Sequence, residues 1–358
     1  MQSLQTLQTD MESKDITVEF LEKEIKAQRS TYQSFRKEEE YWRLKSRSLW
    51  LKAGDRNTSF FHRKYRARLS RNHIAEIKTM DGQVCKGFNQ VKAVAETHFR
   101  NLYREGTQSN EEETADFLSN IPSLISPEDN AILCRPTIEE EIINVIWSMD
   151  ADKAPGPDGF TIHFYKTCWH IIKEDIQKMI SGFMKKAKVG GGTNSAYLAL
   201  IPKDSSPDSF ARFRPISLCN ASYKILAKLL ANRIKPLLKR LISSPQGGFV
   251  EGRHILDNVI QVEETIHTSK QRKEKGMLIK LDTANAFDRV NRSFLCKVLL
   301  TFCFSPQFVQ LIKACIDSPW IGPLVNGRPT NFFQAQRGIR QGFPLSPFLY
   351  ILVVDSLS

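Results

Sequence analysis

The chain has 358 residues, of which 41% are hydrophobic and 25% charged, and its formal net charge is +12. Its longest apolar run, residues 348–354, is far shorter than the ~20 residues that a membrane-spanning helix needs. The N-terminus has no basic start followed by an apolar stretch, so no signal peptide is expected. Seven scattered cysteines without a Cys-x-x-Cys pair argue against a zinc site and a disulfide framework. They favour a reducing, intracellular location, with nucleus and cytoplasm left open.

The positive charge is concentrated in one part of the sequence. Residues 41–100 contain fourteen Lys or Arg against four Asp or Glu, whereas residues 101–150 contain two against eleven. A basic block of this strength predicts a polyanionic partner, although a solvated charged face explains the charge alone equally well.

The first third of the chain has helical patterning. Residues 1–53 contain neither Gly nor Pro, and their apolar positions recur at helical spacing, which predicts one or two long helices that could self-associate. Residues 59–71 interleave aromatic rings with cations, a pattern that suits base stacking and phosphate contacts. An amphipathic helix with its rings packed inward explains the same pattern. The acidic stretch 105–129 indicates a linker or a loosely packed helix.

The remaining elements mix helices and short strands, which indicates an α+β fold. The predicted helices are 137–150 (capped by Thr137 with Glu140), 162–186, 222–242 (kinked at Pro236), 253–269, 293–304, 306–317 and one that begins at residue 345. The predicted strands are 196–202, 276–282 and a hairpin over 320–333 that turns at Asn326-Gly327.

The predicted strand 276–282 delivers Asp282 at its C-terminal end. Hard divalent cations prefer oxygen ligands, so this carboxylate is a candidate metal ligand, and Phe287 could line the same pocket. An isolated Asp after a strand is more often a capping or turn residue.

Two further segments place cations in or beside loops, one of them rich in glycine and the other polar. The run 337–347 places Arg337, Arg340, Gln341 and Gly342 just before a helix, where backbone without a Cβ can approach a phosphate or sugar. A plain loop-to-helix connection explains it too. Lys203 and Arg214 flank a polar loop and could bind a triphosphate, with surface charge as the alternative.

Taken together, these segments resemble one family. IPK, RPISL, FVEGRHILDN, KLDTANAFDRV, VNG and RGIRQGFPLSP occur in that order, preceded by SLWLKAGDRNTSFFHRK (48–64) and KAPGPDG (153–159). The order is similar to that of the reverse transcriptases of LINE-type non-LTR retrotransposons, most like the plant members, over roughly residues 40–358.

The resemblance implies an RNA-directed DNA polymerase of a transposable element, built as a right hand. It implies fingers at 135–270 and an incomplete palm at 271–358, after a helical extension (1–53) and a linker region that is first basic and then acidic (54–134). The implied partners are an RNA template, a DNA primer or target and deoxynucleoside triphosphates, with no membrane partner. The implied cofactor is Mg²⁺, with Mn²⁺ as an alternative.

The resemblance also implies residue roles. Asp282 matches a catalytic metal-binding aspartate, Thr283 would offer its carbonyl to the metal, and Phe287 matches a gate against the ribose 2′-hydroxyl. The residues implied to bind nucleotide are Lys203, Arg214, Phe287, Gln341 and Gly342. Those expected to bind nucleic acid are Arg63, Lys64, Arg66, Arg68, Arg253, Arg337 and Arg340.

The sequence departs from the family pattern in three places. The family has an aromatic-Ala-Asp-Asp turn after the QGxPLSP segment, but this sequence contains no Asp-Asp pair; Phe343 replaces the usual Asp, and Asn285 the usual Lys. We therefore expect the N-terminal part of a polymerase, inactive by itself. The alternatives are a catalytically inactive nucleic-acid-binding remnant and a co-opted helical scaffold. An incomplete palm also predicts exposed apolar surface around 349–354 and poor solubility.

Overall fold

The structure is a computed structural model that describes residues 18–47, 58–79, 81–106, 110–273, 275–317 and 319–356. The chain divides between His73 and Ile74 into two compact units. Within the described ranges no helix is long and apolar enough to cross a membrane. The division falls inside the predicted linker region 54–134, and the other predicted domain limits stay predictions.

The N-terminal unit contains two helices, α1 (Val18–Ser46) and α2 (Thr58–Asn72). The long helix predicted from the absence of Gly and Pro is confirmed for α1, while residues 1–17 and 48–57 lie outside the described residues. The ring of Trp42 on α1 lies 3.7 Å from that of His62 and 5.7 Å from that of Tyr65, both on α2. The rings of α2 therefore pack inward, as the interpretation of this segment as an amphipathic helix predicts.

The C-terminal unit combines helices with two small sheets, which confirms a mixed helix and sheet fold. Its helices are α3 (Phe88–Leu102), α4 (Glu111–Ser119), α5 (Pro127–Cys134), α6 (Glu139–Ser148), α7 (Ile162–Thr167), α8 (Trp169–Lys186), α9 (Ala221–Ile234), α10 (Leu238–Leu241), α11 (Ile255–Gln271), α12 (Ala286–Arg289), α13 (Arg292–Thr301), α14 (Pro306–Ile316) and α15 (Ser346–Asp355). Its strands are β1 (Glu76–Lys78), β2 (Val84–Lys86), β3 (Ser195–Pro202), β4 (Phe213–Cys219), β5 (Trp320–Val325), β6 (Arg328–Pro329) and β7 (Phe333–Gln334).

The larger sheet has the strand order β4-β3-β5-β6, with β7 also paired to β5. Strands β3 and β4 form an antiparallel hairpin, whereas β5 pairs parallel to β3. The predicted hairpin turn is confirmed, because Val325 pairs with Arg328 across Asn326 (φ 50°) and Gly327 (φ 78°). Asn and Gly are the residues that adopt positive φ most readily, so the turn follows from local chemistry.

Helix α9 is at the centre of the core. Ten of its fourteen residues are buried, among them Ile225, Leu229 and Ala231. The predicted kink at Pro236 is confirmed as a 3₁₀ turn, Lys235–Leu237, between α9 and α10. Pro has no backbone N–H and so cannot continue the helical hydrogen bonds.

Three local expectations differ from the structure. The segment 162–186 is two helices separated at Cys168, not one. Thr137 does not cap α6: the cap is Ile138, and the Thr137 hydroxyl instead accepts a hydrogen bond from buried Arg233 at 3.2 Å. The acidic stretch, predicted as a linker or a loosely packed helix, contains the helix α4 and the start of α5, but α4 is packed in the core through buried Leu118.

The segment 276–282 is not a strand, so that prediction is wrong. Met277 and Leu281 are 83% and 88% exposed, and none of the described strands pairs with this segment. A strand is stable only with a hydrogen-bonding neighbour, and the apolar sequence alone does not supply one.

The predicted exposure around 349–354 is also wrong, because α15 is buried at Leu349, Ile351 and Leu352. Exposed apolar side chains lie within 277–281 and along α11, which buries no side chain.

Candidate nucleotide and nucleic-acid site

The expected metal ligand Asp282 lies in an exposed loop, close enough to Tyr350 to act on it electrostatically. The ring of Phe287 stacks on that of Tyr350, with centroids 4.6 Å apart and planes at 27°. Burial raises the pKa of Tyr350, the Asp282 carboxylate raises it further, and a hydrogen bond with the Thr283 side chain opposes them. Helix α15 thus places Tyr350 beside three of the predicted site residues.

Backbone geometry fixes Phe287 next to the 337–342 loop. Asn285 has a left-handed conformation (φ 53°), which Asn tolerates better than most residues, and the short helix α12 begins directly after it. The carbonyl of Phe287 accepts the N–H of Ile339 at 2.8 Å. The departure from the usual Lys at position 285 therefore occurs at a turn that Asn suits.

The carboxylates around Asp282 do not form a metal site. In the described part of the chain, no group of three or more His, Cys, Asp or Glu side chains could hold a metal ion. Asp355 accepts the Ser243 N–H at 3.1 Å, and buried Asp288 accepts hydrogen bonds from Tyr103 and Gln341. Because both are engaged elsewhere, the described residues do not fit the two-metal centre that the resemblance implies.

The structure brings Lys203 and Arg214 to one end of the β3–β4 hairpin. Arg214 pairs with Ile201 in the sheet, and Lys203 follows two residues later, so the exposed cations lie close together. The Lys203 ammonium donates to the carbonyl of Ala211 at 2.8 Å across the connecting loop. This geometry is compatible with a triphosphate site, and the predicted role stays a prediction.

The 337–342 loop has two glycines with positive φ, Gly338 and Gly342, both at 85°. A Cβ at Gly342 would lie 3.4 Å from the Ile216 side chain, which is an ordinary contact, so the positive φ is what favours glycine at this position. The backbone carbonyl of Gln341 accepts the Ser217 N–H at 2.9 Å. Gln341 and Gly342 thus lie at the sheet surface, in the segment expected to line the nucleotide pocket.

Arg340 does not lie where the prediction requires. It is 6% exposed and donates to the Asn194 amide oxygen at 2.6 Å and to the Cys315 carbonyl at 2.9 Å. Its guanidinium also lies 4.3 Å from the centre of the Tyr223 ring. The prediction that Arg340 binds nucleic acid is corrected, because its donors and its aromatic contact are inside the core.

Two other predicted nucleic-acid ligands have donors engaged within the chain. Arg253 donates to the carbonyls of Ile242 and Gln246, both at 2.9 Å. Arg337 is half-buried and donates to the Leu102 carbonyl at 2.9 Å. These bonds connect chain segments, so any contact with nucleic acid has to use the donors that remain.

The basic residues of the N-terminal unit divide into two groups. Arg63, Lys64 and Arg66 are exposed on α2. Arg68 is half-buried and donates to the Ser46 carbonyl at 3.2 Å, and burial lowers its pKa. Three of the four predicted ligands thus lie where a phosphate backbone can reach them.

Sequence reasoning missed three residues of the candidate site, Tyr103, Asp288 and Tyr350. Asp288 lies inside a motif that was recognised, and its position directly after Phe287 was the available signal. Tyr350 is the single residue with a hydroxyl group in the apolar run 348–354, and this difference was the available signal for it. Tyr103 gives no signal, because its contact with Asp288 spans 185 positions in the sequence.

Comparison with known proteins identifies relatives of this chain. Residues 201–358 match the family model of the reverse transcriptase (RNA-dependent DNA polymerase). The chain is 29% identical over 87% of its length to the transposon TX1 uncharacterized 149 kDa protein of Xenopus laevis, and covers 24% of that protein. It is 27% identical over 62% of its length to a retrovirus-related Pol polyprotein from type-1 retrotransposable element R2 of Popillia japonica, and covers 30% of it. A probable RNA-directed DNA polymerase from transposon BS of Drosophila melanogaster is 26% identical over 68% of this chain, which covers 27% of that protein.

The C-terminal unit therefore contains a reverse transcriptase domain. More particularly, the chain is homologous to the polymerases of non-LTR retrotransposons, and it spans about a quarter to a third of the length of these curated relatives.

Proposed function

We propose that this chain is the part of an RNA-directed DNA polymerase that binds a deoxynucleoside triphosphate on a primed RNA template. We assign residues 135–270 to fingers and the residues from 271 to palm. The observation that carries the proposal is a hydrogen bond of 2.5 Å between the Gln341 amide and the Asp288 carboxylate, 53 positions apart. It joins the DTANAFD and RGIRQG segments at one place, as a shared nucleotide pocket requires.

The proposed roles follow from position and charge. Lys203 and Arg214 bind the triphosphate, since both are cations at the same hairpin end. Phe287, held by its stack on Tyr350, contacts the sugar and excludes a 2′-hydroxyl. Asp282 contributes one carboxylate toward Mg²⁺ or Mn²⁺, with the Thr283 carbonyl beside it. We assign binding and orientation to these residues and not the phosphoryl transfer itself, because the metal ligands present are too few.

A second candidate function is nucleic-acid binding without catalysis. It is favoured because, among the described residues, Asp282 belongs to no group of three or more His, Cys, Asp or Glu side chains that could hold a metal ion. The exposed cations Arg63, Lys64 and Arg66 on α2 would then supply much of the affinity, through counterion release from phosphates. Self-association through α1 stays a prediction, which sedimentation of the purified chain tests.

The purified chain should be tested with primed poly(rA)·oligo(dT), labelled dTTP and either Mg²⁺ or Mn²⁺. Binding of dTTP that requires the primed duplex would support the first proposal, and any incorporation should be abolished by Asp282→Ala and preserved by the exposed control Asp175→Ala. Binding of the duplex that weakens steeply with salt, without binding of dTTP, would support the second candidate. If neither duplex nor dTTP binds, both proposals are wrong.

A further inference from the structure

A buried polar network lies behind the predicted nucleotide pocket. Asp288 is fully buried, and its two carboxylate oxygens accept separate hydrogen bonds, one from the Tyr103 hydroxyl at 2.6 Å and one from the Gln341 amide at 2.5 Å. A buried carboxylate is costly unless its oxygens are satisfied, so each of these two donors is required.

The backbone around Asp288 leaves little freedom. Gly338 has φ 85°, and a Cβ there would lie 2.5 Å from the Asp288 carbonyl oxygen. The Gly338 N–H donates to the Val290 carbonyl at 2.8 Å. Buried Arg292 donates to the carbonyls of Gly338, Ala335 and Arg337, each at 2.9 Å. The loop that carries Gln341 is thus held directly on the segment that carries Asp288.

The network also reaches the end of α3. The Tyr103 carbonyl accepts the N–H groups of Gln336 and Arg337 at 2.9 and 3.2 Å. The Glu105 N–H donates to the Gln336 side chain at 3.0 Å. Tyr103 lies almost a hundred positions before the range that matches the reverse transcriptase model. A segment outside that range therefore contacts the same loop through both its backbone and its side chain.

We propose that Asp288 is a positioning residue: with its carboxylate held by Tyr103, which directly follows α3, it orients the Gln341 side chain toward the incoming nucleotide. The proposal rests on the nucleotide pocket proposed above. Neither Asp288 nor Tyr103 touches the nucleotide in this role. An ionised carboxylate accepts from both donors at once, whereas a protonated carboxyl or an amide offers one acceptor fewer and leaves one donor unpaired.

The electrostatic surroundings allow this to be tested by pH. Burial raises the pKa of Asp288 to about 6, while the hydrogen bonds from Tyr103 and Gln341 and the charge of Lys203 act to lower it. The guanidiniums of Arg292 and Arg340 lie near enough to Tyr103 to lower its pKa against the rise that burial causes. Orientation of Gln341 should therefore weaken as the pH falls through about 6.

The test uses the full chain with selectively ¹⁵N-labelled glutamine. The Gln341 side-chain amide resonance, assigned by its loss in Gln341→Ala, should titrate with a midpoint near pH 6. Asp288→Asn should abolish the titration, and Tyr103→Phe should raise its midpoint, since a bond that favours the ionised form is lost. The matched control Tyr165→Phe, at another buried tyrosine, should leave it unchanged.

Binding of fluorescent dTTP at pH 7.5 supplies the second readout. Asp288→Asn should weaken it about tenfold, the size of effect that loss of one hydrogen bond to a charged group produces. A Gln341 resonance that is indifferent to Asp288→Asn overturns the proposal, as does unchanged dTTP affinity when the wild-type chain binds. If the wild-type chain binds no dTTP, the nucleotide pocket is wrong, and the Gln341 resonance still decides whether Asp288 orients this amide.

Discussion

Among the glycines of the described residues, Gly156 lies closest to a neighbouring segment of backbone. Replacing it should destabilise the C-terminal unit. A Cβ at this position would lie 2.3 Å from the backbone nitrogen of Asn220 and 2.5 Å from the carbonyl carbon of Cys219. These atoms belong to the junction of β4 and α9 at the centre of the core, so they cannot move aside as a flexible side chain would. The loop that carries Gly156 has to move instead.

The size of the effect follows from what that movement breaks. Ordinary contact between such atoms is ~3.5 Å, so the loop must shift by about 1 Å. The bonds Asp158 N–H to Asn220 Oδ1 and Lys224 Nζ to the Ala154 carbonyl, each 3.1 Å, hold the loop and would be weakened. Each is worth about 1 kcal/mol, and overpacking adds roughly 1–3 kcal/mol. Gly156→Ala should therefore lower the free energy of unfolding by about 3 kcal/mol.

The assay is urea unfolding of the full chain, followed by circular dichroism and by tryptophan fluorescence. Gly191→Ala is the matched control, because a Cβ there meets no atom within 4 Å and it should change stability by less than about 1 kcal/mol. The rings of Trp147 and Trp169, 6.0 Å apart on the two sides of the loop, report on this region. If Gly156→Ala unfolds within about 0.5 kcal/mol of the control, the reasoning from close approach is refuted.

Three further outcomes are expected. Phe287→Ala should reduce the preference for dTTP over UTP in a fluorescent competition assay, and an unchanged ratio would remove its role as a gate. Leu281→Lys should reduce aggregation in light scattering without lowering the melting temperature, because Leu281 is almost fully exposed; unaltered aggregation would show that segment 277–281 is not the cause. Asp288 has its pKa raised to about 6, so the folded chain holds this proton more tightly than the unfolded chain does. Its contribution to stability is complete below pH ~4 and falls by about 3 kcal/mol as the pH rises through 6. Asp288→Asn should therefore flatten the pH dependence of the urea midpoint between pH 4 and 7, and a profile as steep as that of the wild type would contradict the assignment.

Elements whose cause is local were predictable from the sequence. The Asn326-Gly327 turn, the interruption at Pro236 and the long helix α1 each depend on a few neighbouring residues. The motif order found the reverse transcriptase domain for a related reason, since several short segments in a fixed order are specific even when each is weak alone.

Features that depend on distant partners were not predictable. Residues 276–282 have the apolar run that is typical of a strand but no neighbouring strand among the described residues, so the pattern alone gave the wrong element. Nothing in the sequence distinguishes Arg340 from an arginine that is exposed to solvent. It is buried because Tyr223 from α9 and Cys315 from α14 supply a ring and a carbonyl acceptor there.

The candidate site has two halves that differ in burial. The half that carries Gln341 is packed and bonded to Asp288, whereas the half that carries Asp282 is solvent-exposed. Only five positions separate Asp282 from Phe287, whose ring is stacked on Tyr350. Any strand that paired with residues 277–281 would therefore bury their apolar side chains and fix Asp282 against an aromatic surface that already exists. Burying Leu281 alone would contribute about 2 kcal/mol toward pairing of residues 277–281 with such a strand.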